Sequence, residues 1–249
     1  MITLKIRIAH WLAALFAALA ATAAHAEASA DALLSAANAF VNFEDSTTQM
    51  QMRVFRDDQV EAEYEMRVMK LDSQRMRIEF TQPAREKGRK LLRVGDKMWM
   101  YLPDLGKPIV ISARQSFLGS SVSNGDLMRT DLVSDYTPAL LREEPVDGTP
   151  AEVLELKARS PEVAYDRILM WIDKTTHRPL RQEFYTLSGK RIKTITYGKP
   201  VKLNGIVVNS EMNVESVLTP RERTLLTVSG LTVDQKLPAA LFQKDSIDR

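Results

Sequence analysis

Val60-Glu61-Ala62-Glu63-Tyr64-Glu65-Met66-Arg67-Val68 decides the fold class of this chain. Apolar and charged side chains alternate, so the period is two residues and the segment reads as a strand with one dry and one wet face. The same rhythm extends outward in both directions. Downstream, Met76, Ile78 and Phe80 alternate with Arg75, Arg77 and Glu79; upstream, Met50, Met52 and Val54 alternate with Gln49, Gln51 and Arg53. Glu61, Glu63 and Glu65 share the wet face. A metal site there would need ligands from elsewhere, whereas ion pairing with Arg75 and Arg77 on the next strand needs none.

Further strands read at 89–94, 97–102, 108–114, 151–159, 164–173, 178–187, 190–198, 206–216 and 222–234. Turn signals punctuate them at Gly95-Asp96, Ser188-Gly189, Thr219-Pro220 and, most strongly, Asn204-Gly205. The expectation is a mainly β, single antiparallel sheet of about ten or eleven strands. A sheet that size tends to curl, and a curled sheet has a concave face to fill. Two segments are available as filler. Residues 29–41 space Leu33, Leu34, Ala37, Phe40 and Val41 as a helix, capped by Ser29 or Asp31. Residues 114–145 are irregular and contain a helix start at Ser123-Asn124-Gly125-Asp126. Leu237-Pro238-Ala239-Ala240-Leu241-Phe242 predicts a short terminal helix.

The chain's 34 basic and 32 acidic residues are unevenly placed. Lys5 and Arg7 precede the apolar run Trp11–Ala21, which ends at Ala24-His25-Ala26. That is the layout of a secretory signal peptide over 1–26, with a core shorter than the roughly 20 residues of a membrane span. One domain over 27–249 then has equal numbers of basic and acidic side chains, which argues against a nucleic-acid binder. It has no cysteine, hence no disulfide, no thiol nucleophile and no lipid-modified Cys of its own. His177, in the polar run Lys174-Thr175-Thr176-His177, reads as a solvated turn residue. G-x-S-x-G, H-E-x-x-H, Walker and G-x-G-x-x-G patterns are absent. The reading is therefore a protein that is not an enzyme, with no cofactor and no metal.

Methionines supply the positive signal. Met50, Met52, Met66, Met76, Met98, Met100, Met170 and Met212 fall in the strand segments. Unbranched thioethers deform readily and recur on surfaces that accept variable partners. Two readings follow: an ordinary core that happens to be Met-rich, or a pliable apolar cavity for a flexible ligand such as an acyl chain. Lys97-Met98-Trp99-Met100-Tyr101-Leu102-Pro103, the most aromatic strand, suits either a core or the mouth of such a cavity.

Gln82-Pro83-Ala84-Arg85-Glu86-Lys87-Gly88-Arg89-Lys90-Leu91-Leu92, followed by Gly95-Asp96-Lys97-Met98-Trp99-Met100-Tyr101-Leu102-Pro103, closely resembles the outer-membrane lipoprotein-sorting family, in its longer LolA-like group. Arg114-Gln115-Ser116-Phe117-Leu118-Gly119-Ser120, Ser123-Asn124-Gly125-Asp126-Leu127, Trp171-Ile172-Asp173 and Glu183-Phe184-Tyr185 add to the resemblance, which spans most of 45–245. It implies a periplasmic protein, not lipid-anchored, with an incomplete antiparallel β-barrel wrapped around a few helices. It also implies an apolar hollow that holds acyl chains of lipoprotein or lipid cargo for transfer toward the outer membrane. An inner-membrane exporter and an outer-membrane acceptor are the partners such a carrier would meet. The residues expected to contact the chains are Met50, Met52, Met66, Met76, Ile78, Phe80, Leu92, Trp99, Tyr101, Phe117 and Leu118. Residues 114–130 read as a movable lid or docking loop, or equally as a plain surface loop. The competing function is an accessory or sensor subunit of an envelope transporter, its hollow filled by its own helix.

Overall fold

The computed structural model describes residues 29–248, so the expected signal peptide at 1–26 lies outside the described residues. Helix α1 covers 29–38. Strands β1 (Ser46–Arg56), β2 (Gln59–Asp72), β3 (Arg75–Gln82), β4 (Lys90–Val94), β5 (Lys97–Leu102) and β6 (Lys107–Ile111) follow as a meander. The chain then leaves the sheet through α2 (Asn124–Met128) and α3 (Leu132–Asp135). A second meander comprises β7 (Tyr136–Glu143), β8 (Ala151–Ala158), β9 (Arg167–Asp173), β10 (Pro179–Tyr185) and β11 (Arg191–Tyr197). β12 (Pro200–Leu203) and β13 (Ile206–Asn209) form a separate hairpin, turned at Asn204 and Gly205, both with positive φ. β14 (Glu211–Ser216) and β15 (Glu222–Thr232) complete the sheet.

Thirteen strands form one antiparallel sheet in the order β6-β5-β4-β3-β2-β1-β15-β14-β11-β10-β9-β8-β7. The first and last strands meet in its middle, with Arg56 opposite Glu222 and Thr47 opposite Thr232. β6 and β7, consecutive in the chain, are its two free edges. Laid flat, thirteen strands would span about 60 Å. Instead, Met98 of β5 and Leu156 of β8, near opposite edges, belong to one buried apolar cluster with α1. Beyond β6, Arg114 Nη2 lies 3.3 Å from the Pro161 carbonyl in the β8–β9 turn. The sheet is therefore an open barrel curled around α1 and the 112–135 crossing segment.

Two expectations about strands need correction. β7 lies inside the stretch read as filler, because Pro138 and the unalternating Ala139-Leu140-Leu141 hide its period. Proline is tolerated there because β7 is an edge with one unpaired side. The run 206–216 is not one strand: it breaks at Ser210 into β13, paired with β12, and β14, paired with β11 and β15. The ion pairs also differ. Register places Glu65 opposite Gln82 and Arg77 opposite Met69, so Glu61, Glu63 and Glu65 do not face those arginines. Glu61 pairs instead with Arg56 at 2.9 Å, Arg75 with Asp72 at 2.8 Å and Arg77 with Glu79 at 2.8 Å.

The outer face of the β2–β5 wing also carries a buried apolar patch. Leu92, Trp99 and Met69 are buried there against Phe242 and Ile247 of the C-terminal segment. Arg77, 1% exposed, secures that segment, donating to the Leu241 and Ser246 carbonyls at 3.0 Å each. The C-terminal turns are 3-10 helices, Ala239–Phe242 and Lys244–Ser246.

Candidate functional site

The inner face is where strand period and helix period meet. Ala30, Leu33, Leu34 and Ala37 of α1 are buried against Met52, Met66 and Ile78 of the sheet. Past its C-terminus, Phe40 and Val41 enter the hollow. The crossing segment covers the other side. Ser123 caps α2, accepting from the Asp126 amide at 3.2 Å, while its own amide donates to the Asp126 carboxylate at 2.7 Å. Gly125 lets this turn press on the strand end: its amide donates to the Ala113 carbonyl at 2.9 Å, and a Cβ there would stand 3.0 Å from Ala164. Residues 120–125 are all buried, 114–116 and 119 are exposed, and Gly125, Asp126, Leu127, Arg129 and Thr130 line the hollow.

Between α1, the crossing segment and the sheet lie two adjoining pockets with about 80 and 100 Å³ of internal space. They share Val41, Asp126, Thr130 and Met212, so they form one branched hollow. The first branch runs under Tyr165, Ile168, Phe184 and Ile195; the second runs along Thr48, Met50, Val68, Met76 and Val228. The β12–β13 hairpin contributes Val208 and Asn209 to the second.

Two polar features interrupt this apolar lining. Asp126 and Lys193 form a buried ion pair, with side chains 4% and 7% exposed. Tyr165 hydroxyl donates to Asp126 at 2.8 Å and receives from Lys193 at 2.5 Å. Burial, and then the Asp126 charge, raises the Tyr165 pKa well above that of an ordinary phenol. This cluster fastens α2 to β11. The second feature is Lys70, 4% exposed, on the inner face of β2. Its ammonium donates to Asn42 Oδ1 and, at 3.0 Å, to Thr130 Oγ1. Desolvation lowers its pKa to about 8, against the opposing pull of Asp131 and Glu44.

The eleven residues read from the sequence divide into two sets. Met50 and Met76 line the hollow. Met52, Met66, Ile78, Phe80 and Phe117 lie buried in the surrounding cluster, with Phe80 stacked on Phe117 at 5.9 Å, and Leu118 packs against it. Leu92, Trp99 and Tyr101 are on the opposite face, in the outer cluster under the C-terminal segment. Register explains the correction: Leu92 pairs with Trp99 and Arg77, whereas Leu91, Met98 and Met100 point inward. The sequence reading missed Met212, Tyr165, Lys193 and Lys70. A signal did exist for the lysines. Lys70 falls two residues after Val68 and Lys193 two before Ile195, both in step with the apolar face. His177 is exposed in a turn, with φ 58°. No helix among the described residues is long and apolar enough to cross a membrane.

A family model described as an uncharacterized protein matches residues 72–249. No curated protein sequence gives a significant match. Among solved structures, a LolA superfamily protein from Nitrosomonas europaea is 30% identical, with TM-score 0.79 over 87% of this chain and 98% of that one. A DUF1329 family protein from Desulfovibrio piger is 26% identical, with TM-score 0.77 over 89% and 99%. A candidate outer membrane lipoprotein-sorting protein domain from Vibrio parahaemolyticus is 23% identical and shares the fold, with TM-score 0.77 over 90% and 100%.

Proposed function

The chain belongs to the LolA superfamily, and from that premise we propose that it is a periplasmic carrier that holds acyl chains of lipoproteins or lipids in its hollow and passes them toward the outer membrane. The observation that carries this reading is the branched apolar hollow itself, lined by Met50, Met76 and Met212 and enclosed by one open sheet. Each buried methylene contributes about 0.8 kcal/mol, so an acyl chain supplies most of its own affinity and the protein needs shape more than specific bonds. No bond is broken in such a cycle. Transfer needs an exporter to load the protein and an acceptor to unload it, and residues 114–130, whose Gly125, Asp126, Leu127, Arg129 and Thr130 line the hollow, are the segment whose displacement would open it. Native mass spectrometry of the purified protein tests the idea. Co-purified acyl lipid, displaced stoichiometrically by added fatty acid, is expected; a chain that never retains or accepts acyl ligands overturns it.

The free edges favour a second role alongside the first. Ile109 and Val110 on β6, and Leu140 and Leu141 on β7, are exposed apolar residues on unpaired strands. Such edges suit contact with another envelope protein, as an accessory subunit would need. Crosslinking from Val110 in intact cells would identify that protein; the absence of any specific adduct would remove the role.

A further inference from the structure

Resting on the carrier reading, we infer that the hollow selects cargo with a single anionic oxygen headgroup on an acyl chain, and that Lys70 is the group that receives it. Lys70 is the one charged side chain lining the second branch without an ion-pair partner among the described residues. The other, Asp126, is taken by Lys193. An ammonium has three donors. Two go to neutral oxygens, Asn42 Oδ1 and Thr130 Oγ1, which orient the group without cancelling its charge. The rest of that branch is mostly apolar, Phe40, Met50, Val68, Met76, Val228 and Leu231 among it, and its other polar residues apart from Asp126 (Ser46, Thr48, Thr130 and Asn209) are uncharged.

A cation kept in such a place is costly unless something neutralises it. The carboxylates around Lys70 do not lie in contact with it: Asp131, Glu44 and Asp72 act at a distance, and Arg93 acts in the opposite sense. Arg93 itself is occupied by the carbonyls of Gly95, Ser73 and Met128. One positive charge with no carboxylate in contact, set in a mostly apolar lining, matches a monoanionic amphiphile, a carboxylate or a phosphodiester. It does not match an uncharged ester, which would bury the chain and leave the cation unpaired.

Lipid-stripped protein titrated with a fluorescent fatty acid and with its methyl ester tests this directly. The acid should bind about tenfold or more tightly, the range of a charge-assisted hydrogen bond. Lys70→Met should remove that preference while leaving ester affinity within about twofold, and Lys70→Arg should keep it. Wild type alone gives a second readout that no folding defect can spoil. Acid affinity should fall as pH rises past about 8, the region in which the free ammonium loses its proton, while ester affinity stays level. Lysophosphatidylglycerol against lysophosphatidylcholine separates the two sources of the anion: preference for the glycerol headgroup adds phosphodiesters to the accepted class, and indifference restricts it to carboxylates. Equal affinity of wild type for acid and ester overturns the headgroup role and leaves the carrier reading standing. Failure of both probes overturns both.

Discussion

The β2–β5 wing carries buried apolar residues on both faces, and the two faces have different fates. On the outer face, Leu92, Trp99 and Met69 are sealed by Phe242 and Ile247 of the same chain, with Arg77 fastening the cover. On the inner face, Leu91, Met98 and Met76 meet a helix, a crossing segment and a hollow. The outer cluster is closed by residues adjacent to the end of the chain, so it can be filled completely. The inner one is closed by elements that meet only partly, and the unfilled remainder is what a ligand can occupy. Equal hydrophobicity on two faces of one strand thus gives structure on one side and capacity on the other.

The sharpest way to break that contrast is Phe242→Ala. It should destabilise the protein by about 3–5 kcal/mol, measured by urea unfolding, while acyl-probe affinity extrapolated to the folded fraction is unchanged. An affinity loss would mean the outer cluster also shapes the hollow. Met212→Trp is the converse. Met212 sits where the two branches join, and a larger side chain there should cut probe binding by more than about tenfold. Its stability cost should be only about 1–3 kcal/mol.

Lys70 gives a pH signature confined to the inner face. Its folded-state pKa of about 8 lies below the ordinary 10.5, so between these values the unfolded chain binds the proton that the folded chain has released. Stability should therefore rise by about 2 kcal/mol from pH 8 to pH 10, and Lys70→Met should flatten that rise. Above pH 10 the buried phenols Tyr136, Tyr165 and Tyr197, whose pKa values burial raises, act in the opposite sense. The smallest effect belongs to the wet face: Glu61→Gln, in an exposed pair with Arg56, should move stability by no more than about 0.5 kcal/mol in thermal unfolding.

The sequence revealed the sheet because β1, β2 and β3 alternate cleanly, and the same alternation placed Met50, Met52, Met66, Met76, Ile78 and Phe80 correctly on the inner side. It failed at Leu92, Trp99 and Tyr101 for a physical reason. In Leu91-Leu92 and Met98-Trp99-Met100-Tyr101 neighbouring residues are apolar or aromatic, so period-2 patterning has no wet face to fix the phase. What covers the outer side is the distant C-terminal segment, and no local pattern encodes a contact between Leu92 and Phe242. The hollow's polar fittings were hidden differently. Lys70 and Lys193 sit in phase with apolar neighbours, and reading them needs the pocket that makes the phase matter.

The seam between β1 and β15 carries a kinetic consequence. Among the described residues it is the only ladder joining the two wings of the sheet, and it pairs Arg56 with a residue 166 positions later. Neither wing can be stitched to the other until nearly the whole chain exists, and bringing such distant segments together costs loop entropy before any contact repays it. Folding of this topology should therefore belong to the slow, millisecond-to-second class, with half-barrels exposing their apolar inner faces in the interval. Until the hoop is joined, the surface that later encloses the hollow is an adhesive one, and the order of the strands sets how long it stays open to aggregation.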